Sequence, residues 1–131
     1  MTAVVIGVGN EFRRDDGVGP AVARAPAASG VRAEISDGDP VRLMEAWEGA
    51  EVVVIVDAVR CTPALPGRWH RTTLPHTVPA AVEVTDVDFG TSLSPAVAAA
   101  VAPLAAAILT ELTTKVPDLP NFAATPSFPV P

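Results

Sequence analysis

Cysteine is nearly missing from this 131-residue chain, with Cys61 standing alone. A single thiol excludes an intrachain disulfide framework and any multi-cysteine zinc motif, and leaves Cys61 as a small buried hydrophobe or a free thiol. Cations are scarce too: Lys plus Arg total 9 against 15 Asp plus Glu, for a formal net charge of -6. Without a basic stripe to neutralise phosphates, a nucleic-acid partner is not expected. No apolar run approaches the roughly 18 residues of a membrane span, and the amino terminus lacks the charged start and long apolar centre of a signal peptide. The expectation is a soluble, cytoplasmic protein with no membrane partner. There is no Gly-x-Ser-x-Gly turn, no His-Glu-x-x-His helix and no internal repeat, and the only histidines are His70 and His76.

What the chain does have is apolar residues, 49% of the total. That is enough for one core, in a chain too short for two full domains. Ala3 to Ile6 reads as a buried strand, and Pro20 to Ser29 as a helix with Pro20 near its first turn, where a missing N–H costs least. Pro26 must shorten or kink that helix. Val31 to Ile35 reads as a second strand. Asp39 then caps a second helix that starts at Pro40, carries Leu43, Met44 and Trp47, and stops at Gly49. Val52 to Val56, β-branched throughout and without alternation, belongs at the centre of a parallel sheet covered on both faces, with Asp57 at its carboxyl end.

The later chain is less regular. Arg60 to Pro66 reads as a loop, Arg68 to Thr73 as a short strand, and Thr77 to Val84 as a weak strand that Pro79 confines to an edge or makes irregular. Ser94-Pro95 starts a long helix bearing Val97, Val101, Leu104, Ile108 and Leu112, which Pro103 should kink. Residues 116–131 are proline-rich and read as an extended or disordered tail behind a single domain of residues 1–115. Strand-helix-strand-helix-strand predicts a three-layer α/β/α domain with a mostly parallel central sheet.

In such sheets ligands gather beyond the carboxyl ends of the strands. Two candidate groups fall there. The first is Gly7-Val8-Gly9-Asn10 running into Asp15-Asp16-Gly17-Val18-Gly19, and the second is Asp57. Each carboxylate could simply cap a turn or a helix start. Two adjacent carboxylates repel one another, however, unless a cation or hydrogen-bond donors offset the cost, so Asp16 with Asp57 is the candidate metal or acid/base pair. The glycines lack a third partner at the offset a dinucleotide site requires.

The order Gly7-x-Gly9-Asn10, then Asp15-Asp16-Gly17-Val18-Gly19, resembles the amino-terminal signature of the hydrogenase maturation proteases. Ser36-Asp37-Gly38, Val56-Asp57-Ala58 and Leu93-Ser94-Pro95 extend the likeness across most of residues 3–114. The resemblance implies an endopeptidase that removes the carboxyl-terminal extension of a nickel-iron hydrogenase large-subunit precursor after nickel insertion. In that family the nickel of the precursor, rather than a firmly resident cofactor, helps recognition. The family's first two metal-contacting residues map to Asp16 and Asp57, as catalytic and metal residues of an aspartic-type or metal-dependent protease.

The third family residue, a histidine before a helix, has no counterpart. Thr72-Thr73-Leu74-Pro75 runs directly between the flanking strands, as if one strand-helix-strand crossover of about thirty residues were deleted. His76 lies on the wrong side of that gap, and the role is not transferred to it. Such a deletion would uncover part of one sheet face. The alternatives are a non-catalytic module that docks the large subunit or a maturation chaperone, and a small-molecule-binding α/β domain.

Overall fold

The structure, a computed structural model, describes residues 3–27 and 30–116. Most of the segment expected to be a tail therefore lies outside the described residues, but Val116 is buried in the core. Five strands, β1 (Ala3–Val8), β2 (Arg32–Ser36), β3 (Val52–Val59), β4 (Trp69–Arg71) and β5 (Thr77–Glu83), form one sheet in the order β2-β1-β3-β5-β4. All neighbours are parallel except β4 against β5. Helices α1 (Val18–Ala27) and α3 (Pro95–Lys115) lie on one side and α2 (Pro40–Trp47) on the other, giving the expected three layers.

The two faces of the sheet differ because strand side chains alternate. Val5, Val54, Val56, Val78 and Val82 join Val22, Leu104, Ile108 and Leu112 in the main core. Val4, Ile6 and Val53 form a smaller core with Leu43 and Trp47 of α2. On that second side α2 packs over β1 and β2, while Pro79 and His70, further across, are exposed. The chain passes from β4 to β5 through Thr72 to His76 alone, with Leu74 N–H donating to Thr77 O at 3.0 Å.

Four expectations need correcting. Pro79 is not on an edge, since β5 lies between β3 and β4. The proline is tolerated because its backbone faces Thr72, just past the end of β4. Thr72 N–H donates to Pro79 O at 3.0 Å, and the reciprocal bond that proline cannot make falls past the end of β4, in the stretch that leads to the turn. Next, β3 does not stop at Val56 but runs to Val59, because residues 57–59 find parallel partners in Ala81 to Glu83. Asp57 thus sits within a strand.

Third, α1 begins at Val18, behind a 3₁₀ turn over Arg14–Gly17, and is ten residues long. Pro20 falls in its first turn, and Pro26 is buried in its last, where little helix remains to be disrupted. Finally, α3 continues through Pro103 for 21 residues, with a mean hydropathy of 1.8 over its most apolar window. By length and composition alone it could cross a bilayer, contrary to the expectation of no such run. Its buried stripe from Val97 to Leu112 instead packs against α1 and the sheet, as a core helix does.

Candidate functional site

The carboxyl end of β1 feeds the loop that was singled out in the sequence. Helix α1 comes unusually close to the sheet there. A Cβ on Gly19 would lie 2.4 Å from Val8 O and 2.5 Å from Val56 O, so only glycine lets the helix start against the ends of β1 and β3. The loop is held from the other side by residues 86–90. Asp15 N–H donates to Asp86 O at 3.0 Å, Arg14 N–H to Gly90 O at 2.9 Å and Gly90 N–H to Phe12 O at 2.9 Å. Arg14 is held at φ 44°, a left-handed conformation that an arginine adopts only under such constraint.

Adjacent in sequence, Asp15 and Asp16 have different tasks. Asp15 is fully buried, and its carboxylate accepts from Ser94 N–H at 2.7 Å and from Ser94 Oγ–H at 2.8 Å. It therefore anchors the residue just before α3 to the opening loop. Ser94 stands at the N-cap of α3 but makes no side-chain cap bond, giving its hydroxyl to Asp15 instead. Asp16 is half-buried, with Oδ2 accepting from Asn10 N–H at 2.8 Å.

Asp57 extends from β3 at the same rim, and Oδ1 accepts from Ala58 N–H at 2.8 Å. Although the residue is exposed, the protein around its base removes enough water to push its carboxyl above the ordinary range. The Ala58 bond opposes that rise, and the negative charge of Asp16 adds to it. The sheet end thus brings Asp57 near enough to Asp16 to sense its charge.

His70 and His76 are separated by the fold. His76 sits at the amino end of β5 near Glu51 O, at the opposite end of the sheet from Asp57. His70 is in register with Ala81, which is in register with Asp57, so the three share one face. Two strand spacings put His70 and Asp57 about 10 Å apart. Its Nε2 is taken by Glu83 Oε2 at 2.7 Å. Among the described residues no group of three His, Cys, Asp or Glu side chains is placed to hold a metal.

Glu83 is the residue that sequence reasoning missed. At the end of β5 it is fully buried and accepts from Arg68, from Leu65 N–H at 3.1 Å and from His70. Hydrogen bonds from Arg68 and then His70 hold its carboxyl down to about 2. The arrangement ties the loop from Arg60 to Gly67 back to the sheet. A glutamate inside the apolar run Ala80-Ala81-Val82-Glu83-Val84 was the available signal, since a buried charge demands partners.

The fold is that of the hydrogenase maturation endopeptidases: a mostly parallel five-stranded sheet with helices on both sides. One similar solved structure is the [NiFe] hydrogenase maturation protease HybD from Thermococcus kodakarensis, at a TM-score of 0.74 and 22% identity, covering 86% of this chain and 99% of that one. The hydrogenase maturating endopeptidase HybD from E. coli matches at a TM-score of 0.73 and 19% identity, covering 88% and 94%. The [NiFe] hydrogenase maturation protease HycI from T. kodakarensis matches at 0.70 and 17%, covering 86% and 92%. No protein-family model matches the chain, and no curated protein matches it.

Proposed function

We propose that this chain is an endopeptidase of the hydrogenase maturation type. It removes the carboxyl-terminal extension of a nickel-iron hydrogenase large-subunit precursor, acting in the cytoplasm after nickel has been inserted. The observation that carries the reading is the pairing of Asp16 with Asp57 at the carboxyl rim of the sheet, on a fold shared with structures that bear that name. Nickel belongs to the substrate in this scheme, and the two carboxylates contact it there. Asp57, with its raised carboxyl, is the group of the pair better suited to hold or accept a proton as a peptide bond is hydrolysed.

One observation favours a second reading, that of a non-catalytic module docking the same precursor. Among the described residues no group of three His, Cys, Asp or Glu side chains is placed to hold a metal, so Asp16 and Asp57 have no third ligand beside them. Incubation with nickel-loaded precursor, followed by mass spectrometry of the carboxyl-terminal peptide, separates the two. Release of the peptide by the wild-type chain and its loss in Asp57→Asn support the protease. Intact precursor co-eluting with the protein supports the docking module, and neither cleavage nor binding rules out both.

A further inference from the structure

We infer that the cleft beside Asp16 binds a carboxylate carried by a polypeptide, gripped by Arg13 and Arg60. The inference rests on the reading of this rim as a peptide-processing site and names a chemical feature of what is processed. The cleft has a volume of about 260 Å³ and is lined by Arg13, Asp16, Ala58, Arg60, Val84 and Val87. It lies between the opening loop and the chain just after β3.

Charge accounting singles it out. In a protein with 15 acidic and 9 basic residues, an arginine readily finds a carboxylate. Among the described residues only Arg13, Arg42 and Arg60 of the arginines form no ion pair, and two of these three line this one cleft. Arg13 is also oriented, because its Nε–H donates to Val87 O at 3.0 Å. That bond fixes the guanidinium plane and leaves the terminal amino groups for a ligand. The Asp16 carboxylate accepts from Asn10 N–H, and although Asp57 is near enough to sense Asp16, neither aspartate forms an ion pair with Arg13 or Arg60, so both guanidinium groups keep donors for a ligand. Planar guanidinium groups match carboxylate oxygens in paired hydrogen bonds.

The surroundings favour a peptide over a free anion. Phe12 and Phe89 are 67% and 87% exposed. Their backbone stretches are joined by the bond from Gly90 N–H to Phe12 O and by the pairing of Arg13 with Gly90, which brings both residues near Arg13. Exposed aromatic rings beside a basic cleft suit a segment in which an acidic residue is flanked by apolar ones. A phosphate ion has no use for them.

The full chain, labelled with ¹⁵N, can be titrated with acetyl-Ala-Leu-Glu-Leu-Ala-amide, with the same peptide carrying Gln for Glu, and with sodium phosphate. The readout is the side-chain Nε–H signals of Arg13 and Arg60. The glutamate peptide is expected to move both signals and to bind roughly tenfold more tightly than the glutamine peptide. R13Q and R60Q should each weaken it, while a double Phe12→Ser, Phe89→Ser variant weakens the peptide and spares phosphate. Unchanged backbone amide spectra certify that the variants are folded.

Equal binding of the two peptides, insensitivity to both arginine variants, or no shift up to about 10 mM overturns the inference. Phosphate binding as tightly as the peptide, with the phenylalanine variant neutral, overturns the peptide as the source of the anion. Cleavage is not read in this titration. A chain that processes precursor but ignores the glutamate peptide loses this inference alone, and one that binds the peptide but never processes precursor loses the protease reading alone.

Discussion

Asp15 and Ser94 are 79 positions apart, yet the buried carboxylate of one accepts both the backbone N–H and the hydroxyl of the other, at 2.7 and 2.8 Å. This pair fastens the start of α3 to the loop that presents Asp16. Asp15→Ala removes the acceptor for two donors in a buried setting, and a loss of about 2 kcal/mol of unfolding free energy is expected. Urea denaturation monitored by circular dichroism measures it. A change below about 0.5 kcal/mol, the size of an ordinary surface substitution, would show that the pair is dispensable.

Gly19 has a steric duty. Its substitution by alanine forces a methyl group against the carbonyl oxygens of Val8 and Val56, at 2.4 and 2.5 Å. Helix α1 must then back away from the sheet, at a cost of about 1–3 kcal/mol. The expected outcome is a larger drop in thermal midpoint for Gly19→Ala than for Gly49→Ala, where a Cβ would meet nothing within 4 Å and only the left-handed φ of 78° opposes alanine. Equal losses at the two positions would assign the effect to backbone conformation instead of to crowding.

The carboxyl of Asp57 is raised first by desolvation and further by Asp16. Asp16→Asn removes the second cause and leaves the first, so the Asp57 titration should move down yet stay above the ordinary range. Carbon-detected NMR of the side-chain carboxyl follows it directly. An unchanged or higher midpoint in the variant would mean that the two groups do not sense each other.

Glu83 predicts how the fold responds to acid. Its carboxyl is held at about 2 in the folded protein against an ordinary value of 4.5. A depressed value of this kind supports the fold fully above the unfolded-state pKa and loses that support as pH falls toward 2. Denaturation midpoints of the wild-type protein should therefore drop between about pH 4.5 and 2. Glu83→Gln should be less stable near pH 7 and show a flatter profile across that window. Parallel profiles for the two proteins would remove Glu83 from the account.

Local signals in the sequence carried much of the fold. Asp39 does cap α2, accepting from Val41 N–H at 2.9 Å, and Pro40 does begin it. The β-branched run of β3 does lie at the centre of the sheet, and the helix from Pro95 forms in full. Asp16 and Asp57 reach the same rim as expected, because the ends of parallel strands are fixed by topology. What escaped were features decided between distant segments. Pro79 is harmless only because β4 ends where it does. Ser94 serves Asp15 and not its own helix, a choice invisible within a window around residue 94. Glu83 draws His70 from β4 and Arg68 from just before it, so its role depends on an antiparallel register that spacing alone does not specify.

The short passage from Thr72 to His76 also bears on how the molecule assembles. The parallel pairing of β5 with β3 requires the chain after β3 to cross back to the start of the sheet, whereas β4 and β5 meet across a hairpin of near neighbours. Contacts between residues close in sequence form soonest, because little chain entropy is lost in making them. The β4–β5 hairpin is thus the part of the sheet best placed to form early. The junction of β1 with β3 spans the intervening β2 and α2, so closing it costs more chain entropy, and the rim that carries Asp16 and Asp57 depends on that costlier contact.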